Sequence, residues 1–333
     1  MTTPLLEVKN LSVRYPIWGG IFRHKVNEVS AVDDVSFTID AGETLGLVGE
    51  SGCGKTTIAK AIVNIHRAMT PGVEQTGQVI FHSEDGPINI LELSRAEMRP
   101  LRSQLQIIFQ DPFSSLNPRM TVGNIIETPL RLHSKQTAKE RRDRVSFLLD
   151  RVGLQPEHAS RYPHEFSGGQ RQRVGIARAL AVQPKLIVAD EAVSALDVSV
   201  QAQVLNLLGD LQEEFGLTYL FVAHDLSVVH HISDRIAVMY LGKLVEFGGS
   251  DQVYRTPLHP YSRALISAVP QPVPRRDRSD RIQLIGEVPT PLNKPSGCPF
   301  RTRCPIAKEE CADAMPELVE KESNHRVACP YSE

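Results

Sequence analysis

Residues 49–56 read Gly-Glu-Ser-Gly-Cys-Gly-Lys-Thr. This stretch matches G-x-x-x-x-G-K-[ST], the phosphate loop of nucleotide-binding proteins. The apolar run at 45–48 predicts a strand before the loop, and a helix is predicted to open near Lys55. Glycines let such a loop curl so that backbone N–H groups and the helix N-terminus face an anion. The stretch therefore predicts an α/β domain that binds ATP.

Each part of the loop has a predicted role. Lys55 brings a positive charge to the β- and γ-phosphates, and the Thr56 hydroxyl can ligate Mg²⁺. Cys53 is interpreted as a small residue that the loop tolerates. The predicted ATP contacts of the loop are Gly49, Ser51, Gly52, Cys53, Gly54, Lys55, Thr56 and Thr57.

Two carboxylates follow a second apolar run. Residues 186–191 read Leu-Ile-Val-Ala-Asp-Glu, which is typical of a buried parallel strand with acidic residues after it. Ligands bind at this edge of open α/β sheets. We expect Asp190 to hold Mg²⁺, directly or through water, and Glu191 to orient or deprotonate the attacking water.

A second glycine motif stands at residues 166–171, which read Phe-Ser-Gly-Gly-Gln-Arg. Ser167 is predicted to cap a helix over 171–182, and the two glycines would permit close backbone approach. This would be a second anion-binding helix terminus in one chain. One nucleotide does not need two such sites from one domain.

The two motifs together resemble those of the nucleotide-binding subunits of ABC transporters. The resemblance implies that the second motif contacts the ATP held by a partner subunit, so that two chains enclose two nucleotides head to tail. The residues that would face the partner's ATP are Ser167, Gly168, Gly169 and Gln170.

Further residues match the family in register. Gln110 follows the strand-like stretch 105–109 and resembles the glutamine that senses Mg²⁺ and the membrane subunit. Asp197, in Ser-Ala-Leu-Asp, resembles the loop that crosses the dimer interface. His224 follows the apolar run 219–223 and matches the switch histidine, which would contact the γ-phosphate and help hold Glu191 and the water.

Tyr15 is the predicted adenine-stacking residue, because it follows the predicted first strand at 6–13. Trp18 and Phe22 are alternatives for the same role. They lie in an apparent insertion over 16–28, in which Gly19 and Gly20 predict a loop, before a strand predicted around 35–39.

The rest of the chain divides into a cassette and an extension. Residues 1–250 are predicted to form the ABC nucleotide-binding domain, with a helical subdomain at about 111–182, and residues 251–333 a C-terminal extension broken by prolines. Within the cassette we expect a loop at 111–121, helices at 138–152 and 199–215, and a hairpin of 236–240 with 243–247. Positive charges on the 138–152 helix are interpreted as a solvated face.

Composition limits the possible partners. The 333 residues carry 37 Lys and Arg against 39 Asp and Glu, a net charge of −2, which does not suggest nucleic-acid binding. No apolar run approaches the roughly 18 residues that cross a bilayer, and no signal-peptide pattern opens the chain. A transport role would therefore need a channel formed by other subunits.

Four cysteines cluster near the end of the chain with the spacing C-x5-C-x6-C-x17-C. They are Cys298, Cys304, Cys311 and Cys329. In a chain without an export signal such a cluster favours a metal over disulfides. The usual C-x2–4-C zinc knuckle is absent, and proline after three of the cysteines also occurs in iron–sulfur proteins. The spacing alone leaves zinc and iron–sulfur open, with no metal as a third possibility.

The whole chain resembles the second ATPase subunit of bacterial oligopeptide and dipeptide permeases. The resemblance is carried by the terminal cysteines and by FQDPFSSLNP at 109–118, RYPHEFSGGQ at 161–170, SALDVS at 194–199 and LHPY at 258–261. One position departs from the family, which usually has proline after the catalytic glutamate, where this chain has Ala192.

The resemblance implies a role in peptide import. It implies a sister ATPase subunit, two transmembrane permease subunits, an extracytoplasmic peptide-binding protein and a peripheral place on the cytoplasmic face of the inner membrane. It also implies a [4Fe-4S] cluster on the four cysteines. Alternatives are a nickel, glutathione or oligosaccharide importer, and a soluble ABC ATPase acting on ribosomes or DNA. Soluble ABC proteins usually carry two cassettes or a long coiled coil, whereas this chain has one cassette and no heptads.

Overall fold

The computed structural model describes residues 3–19, 24–269, 282–284 and 286–332, with backbone only for Arg67 and Pro112. The strands are β1 Leu6–Gly19, β2 His24–Ile39, β3 Thr44–Val48, β4 Glu74–Ser83, β5 Gly86–Asn89, β6 Leu105–Ile108, β7 Leu186–Asp190, β8 Thr218–Ala223, β9 Arg235–Tyr240, β10 Lys243–Gly249, β11 Val319–Glu322 and β12 His325–Val327. The α-helices are α1 Lys55–Ile62, α2 His66–Met69, α3 Met98–Leu101, α4 Pro112–Ser115, α5 Val122–His133, α6 Ala138–Arg151, α7 Gly168–Leu180, α8 Val198–Phe215, α9 Leu226–Ile232, α10 Ser250–Arg255 and α11 Pro260–Ser267. Short 3₁₀ turns lie at Ile90–Glu92, Pro156–Ser160, Pro163–Glu165 and Glu309–Ala312.

The chain forms two compact units. The first unit contains residues 1–39, 44–91 and 222–333, and the second contains residues 40–43 and 92–221. The division of the chain at residue 250 stays a prediction.

In the first unit, one sheet is antiparallel with the order β2-β1-β4-β5. A second set of strands runs in the order β11-β12-β10-β9-β3, in which β3 and β9 are parallel and the other pairs antiparallel. The predicted hairpin forms as β9 and β10, joined by Leu241 and Gly242, both with positive φ. Parallel pairing aligns Val48 with Val238, so the segment after β3 lies beside the end of β9.

The predicted end of the first strand at residue 13 is wrong, and residues 16–19 and 24–28 of the apparent insertion lie in strands. β1 continues through Gly19 and pairs with β2, with Tyr15 opposite Val29 and Trp18 opposite Lys25. β1 pairs with β4 only as far as Arg14, so Pro16 lies where one edge of β1 is unpaired and proline is tolerated. Ion pairs of this hairpin also favour the longer strands; they join Lys25 to Glu28 and Glu74, and Arg14 to Glu28. Gly20 and Phe22 lie outside the described residues.

The second unit contains the parallel pair β6 and β7 and the helices α3 to α8. The predicted 138–152 helix is confirmed as α6, with its apolar face buried, and the predicted 199–215 helix as α8. The positive face of α6 is not only solvated, because the Arg144 guanidinium lies 5.1 Å from the Phe147 ring and 6.0 Å from the Phe215 ring. The predicted loop at 111–121 contains the short helix α4, which Asp111 caps by accepting from the N–H of Phe113.

The segment after residue 250 packs on the rest of the first unit. β12 pairs with β10, and the side chains of Tyr261 and Phe300 are fully buried. Strand pairing and apolar contacts therefore help to organise this C-terminal segment. Among the described helices, none combines the length and the apolar character needed to span a membrane.

Candidate nucleotide-binding site

The predicted strand, loop and helix around residues 49–56 are confirmed. β3 ends at Val48, and α1 begins at Lys55 with Gly54 as its N-cap. A Cβ on Gly49 would stand 2.2 Å from the Met239 carbonyl oxygen, and one on Gly54, whose φ is 110°, 2.3 Å from that of Ala31. Both positions therefore require glycine, and the backbone wraps closely around the start of α1.

Lys55 lies inside the loop that it completes. Lys55 is only 3% exposed. Its Nζ donates to the carbonyl oxygens of Gly49 at 2.7 Å and Glu50 at 3.1 Å. The Cys53 sulfur lies 3.9 Å from the same Nζ. Burial raises the pKa of the Cys53 thiol, which favours the protonated, uncharged form. The loop carbonyls thus hold the ammonium where an entering phosphate would compete for it.

Tyr15 lies within β1 rather than after it, but its side chain reaches the start of α1. Its Oη is 3.5 Å from Thr57 Oγ1 and 3.2 Å from His66 Nδ1, and its ring meets the His66 imidazole edge-on at 5.7 Å. Burial lowers the pKa of His66, which favours a neutral imidazole. Sequence reasoning missed His66, because a histidine ten residues after the loop carries no motif.

Glu50 is a second residue that sequence reasoning missed. Its N–H donates to Tyr261 Oη at 2.8 Å, and its carboxylate accepts two hydrogen bonds from Arg303. A cavity of about 240 Å³ beside it is lined by loop residues 50–53 and by residues 288–291. In the sequence, Arg303 stands next to Cys304, but nothing there indicates that it pairs with the carboxylate of Glu50.

In the second unit, parallel pairing brings two predicted site residues together. β6 and β7 align Ile108 with Ala189, so the residues after both strands lie at one edge. There the Gln110 amide donates to the Glu191 carboxylate at 2.7 Å. Asp190, the last residue of β7, is buried.

Glu191 has a φ of 48°, in the left-handed region that non-glycine residues seldom adopt. Its carbonyl oxygen accepts from the N–H of Ser194 at 3.1 Å and from Ser194 Oγ at 2.9 Å. Ala192 is buried within this turn. The turn therefore forms without the proline that the family usually has there.

The second glycine motif caps a helix as expected. Ser167 Oγ accepts from the N–H of Gln170, and the Gln170 side chain accepts from the N–H of Ser167, which is a capping box at the start of α7. A Cβ on Gly169 would stand 2.4 Å from Val200, so this glycine is needed for packing against α8. Gly168 is exposed and is the glycine at which a ligand could approach.

The predicted site residues divide between the two units. The phosphate loop, Tyr15 and the exposed His224 belong to the first unit; Gln110, Asp190, Glu191, the 167–170 motif and the exposed Asp197 belong to the second. Asp197 lies directly before α8 and Val198 is 84% exposed. The catalytic, Mg²⁺-binding and partner-facing roles of these residues stay predictions.

The four C-terminal cysteines are free thiols that line one cavity with His259 and Phe300. The N–H of Cys298 donates to the Cys311 carbonyl oxygen at 2.8 Å, and burial, with a smaller effect of the other thiols, raises the pKa of Cys298 to about 11. The donor set fits a metal in number and type. However, among the residues that the structure describes, no group of three or more His, Cys, Asp or Glu side chains stands close enough to hold a metal ion. The predicted cluster is therefore not confirmed.

Two family models match the chain. The model described as ABC transporter matches residues 32–194, which contain the phosphate loop, Gln110, the 167–170 motif and Glu191. The model described as oligopeptide/dipeptide transporter, C-terminal region, matches residues 245–311. The fold and these matches define an ATP-binding cassette of the ABC transporter class.

Curated relatives match over almost the full length. The chain is 52% identical to the oligopeptide transport ATP-binding protein AppF of Bacillus subtilis, over 98% of this chain and 96% of that protein. It is 54% identical to the oligopeptide transport ATP-binding protein OppF of Salmonella typhimurium, over 98% of this chain and 95% of that protein. The chain belongs to the family of oligopeptide transport ATP-binding proteins of ABC transporters.

Solved structures support the cassette fold. The CbiO1 protein of Clostridium perfringens, part of the ABC transporter complex CbiONQ, matches with a TM-score of 0.61 and 26% identity over 76% of this chain and 91% of that chain. The ATP-binding cassette MJ0796, in a dimeric post-hydrolysis state bound to ADP and phosphate, matches with a TM-score of 0.60 and 29% identity over 74% of this chain and 98% of that chain.

Proposed function

We propose that this chain is the ATP-hydrolysing, energy-coupling subunit of a bacterial ABC importer of oligopeptides or dipeptides. The observation that carries the proposal is identity of about half over nearly the whole chain to proteins named for oligopeptide transport. The phosphate loop supports the ATP-binding part, because its glycines and Lys55 have the arrangement that a polyphosphate needs.

ATP hydrolysis is assigned to the residues predicted from the sequence motifs. Lys55 binds the β- and γ-phosphates, and Thr56, Gln110 and Asp190 hold Mg²⁺. The ion supplies positive charge to the phosphate oxygens when it is bound. Glu191 orients or deprotonates the attacking water, and His224 helps to hold the γ-phosphate and the water. The hydrogen bond between Gln110 and Glu191 supports their joint role at one site.

The chain acts in a dimer with a sister ATPase, whose ATP contacts the 167–170 motif. The exposure of Ser167, Gly168, Asp197 and Val198 supports this interface. Two transmembrane permease subunits form the channel, and an extracytoplasmic binding protein delivers the peptide. The chain is placed peripherally on the cytoplasmic face of the inner membrane.

A metal on Cys298, Cys304, Cys311 and Cys329 completes the proposal, with [4Fe-4S] favoured over zinc. The common cavity lined by the four thiols supports it, because thiolates are the usual ligands of both. Bound there, the group would cross-link the four cysteines of residues 298–329. Its role is mainly structural, and it would add to the packing of Phe300 and β12.

Co-purification tests this function. A tagged chain solubilised from membranes should bring a homologous ATPase, two membrane subunits and, when the binding protein is present, bound peptide. The purified chain alone should hydrolyse ATP slowly, and the assembled complex much faster. A binding protein that carries nickel, glutathione or oligosaccharide would reassign the cargo. Ribosomes or DNA as the only partners would support a soluble ABC ATPase and contradict transport.

A further inference from the structure

An ion pair joins Glu50 of the phosphate loop to Arg303 of residues 298–329, the cysteine-containing segment. Arg303 donates from one terminal nitrogen to Glu50 Oε2 at 2.7 Å and from the other to Glu50 Oε1 at 3.1 Å. The Arg303 side chain is 7% exposed and that of Glu50 26%. Exposed ion pairs contribute little, but a two-pronged and largely desolvated pair fixes both partners in position.

Tyr261 of α11 also fixes the backbone of Glu50, and aromatic rings from α11, β9 and the cysteine-containing segment pack together beside it. Tyr261 Oη accepts from the N–H of Glu50 at 2.8 Å, and Arg303 donates to Tyr240 Oη at 3.3 Å. The rings of Tyr240, Tyr261 and Phe300 pack on one another with centroids 4.8–5.4 Å apart. The Arg303 guanidinium is therefore held by Tyr240 of this ring cluster as well as by Glu50.

Glu50 also contacts Lys55, the lysine predicted to bind phosphate. The carbonyl oxygen of Glu50 accepts from Lys55 Nζ at 3.1 Å, while its carboxylate accepts from Arg303. A carboxylate in this position would repel an ATP polyphosphate if its charge were not balanced. Arg303 balances that charge and draws the carboxylate toward the cysteine-containing segment.

We infer that Arg303 is a positioning residue for the phosphate loop: by pairing with Glu50 it makes ATP affinity depend on the docking of the cysteine-containing segment. The inference rests on the proposed binding of ATP at this loop. Because coupling between two sites is reciprocal, ATP should in turn stabilise the segment. The amide of Arg303, which donates to the Phe300 carbonyl oxygen at 2.9 Å, reports on that segment.

Calorimetric titration of the full chain with Mg-ATP tests the inference. Arg303→Gln should raise Kd about tenfold or more, because it leaves the Glu50 charge unpaired. Arg303→Lys should have a smaller effect, since it keeps the charge and loses the fork. Adding Glu50→Gln to Arg303→Gln should restore part of the affinity. Arg301→Gln is the matched control, because Arg301 lies in the same segment and bonds to Ser296.

Hydrogen exchange provides a readout that a purely structural role would not change. ATP should slow exchange of residues 300–304 in the native chain and should not do so in Glu50→Gln. Because it uses only the native chain and Glu50→Gln, this measurement tests the inference even if Arg303→Gln does not fold. Three results would each overturn the inference. ATP could still protect residues 300–304 in Glu50→Gln, or Arg303→Gln and Arg301→Gln could have equal Kd values. The third is a double variant whose change in Kd is the product of the changes in Glu50→Gln and Arg303→Gln alone.

Lys55→Ala separates this inference from the proposed function. If Lys55→Ala leaves ATP binding unchanged, the loop does not bind ATP and both fail. If Lys55→Ala weakens binding strongly while Arg303→Gln behaves like Arg301→Gln, only the positioning role fails.

Discussion

The side-chain amide of Gln110 donates a hydrogen bond to the carboxylate of Glu191 over 2.7 Å. Glu191 also holds a φ of 48°, which for a non-glycine residue costs on the order of 1–3 kcal/mol. Two hydrogen bonds from Ser194 to the Glu191 carbonyl oxygen support this conformation. The backbone and the amide together aim the carboxylate, which is what a residue that must orient a water needs.

Glu191→Gln should keep ATP binding and lower hydrolysis by the assembled complex about 10²–10⁴-fold, because the water loses its orienting carboxylate. Phosphate release and ATP titration measure the two effects. Glu213→Gln, an exposed glutamate on α8, is the control and should leave both unchanged. Unchanged hydrolysis in Glu191→Gln would mean that Glu191 is not the base or that the sister subunit's site performs the hydrolysis.

Tyr15→Ala should raise the Kd for ATP by roughly 5–150-fold, the equivalent of about 1–3 kcal/mol for the loss of an aromatic ring stacked on a base. Tyr15→Phe keeps the ring and loses the contacts of Oη with Thr57 and His66, so its Kd should change by less than about threefold. Fluorescence titration with an ATP analogue measures both.

Trp18→Ala is the control for Tyr15, because Trp18 is the other described aromatic residue considered for adenine and is 52% exposed. It should bind ATP like the native chain. If Trp18→Ala instead bound ATP weakly and Tyr15→Ala bound it like the native chain, the adenine contact would be assigned to Trp18.

Local patterns predicted the parts of the site that are close in sequence. The strand before Gly49, the helix from Lys55 and the cap at Ser167 each follow from a few adjacent residues whose backbone needs are specific. The strand-like stretch 105–109 and the apolar run at 186–189 also predicted β6 and β7, and the parallel pairing of these strands explains why Gln110 and Glu191 meet.

Contacts between distant segments could not be predicted in this way. Glu50 and Arg303 are 253 residues apart, and no local pattern indicates that they pair. The length of β1 was missed for a related reason, because Pro16 reads as a strand end until the pairing of its neighbours is known. The packing role of Gly169 likewise depends on Val200 in another helix.

The buried pair of His325 and Glu246 predicts a pH dependence of stability. Burial of His325 acts to lower its pKa, but the hydrogen bond from Nε2 to Glu246 at 2.7 Å and the charges of Glu246 and Glu322 outweigh burial, so the pKa is raised. The imidazolium therefore stabilises the fold fully below the ordinary histidine pKa of about 6.5, and this contribution is lost as pH rises through the folded-state pKa.

His325→Gln should consequently lower the thermal unfolding midpoint more at pH 6 than at pH 9, by about 2–4 °C for each kcal/mol lost. Calorimetric scans of the native and variant chains across this range measure the difference. A His325→Gln deficit that grows with pH would contradict the assigned sign.

The four C-terminal cysteines predict the metal content of the protein. Chain purified without oxygen should be brown and contain iron and sulfide, because four cysteines are the usual ligand set of an iron–sulfur cluster and these four line one cavity. Cys304→Ser should remove the iron and speed proteolysis of the extension, since a lost ligand releases the cross-link. Cys53→Ser is the matched control and should keep the iron, because Cys53 lies in the phosphate loop. One zinc per chain in place of iron would keep the four-cysteine site and change its metal, whereas a metal-free native chain would contradict the site itself.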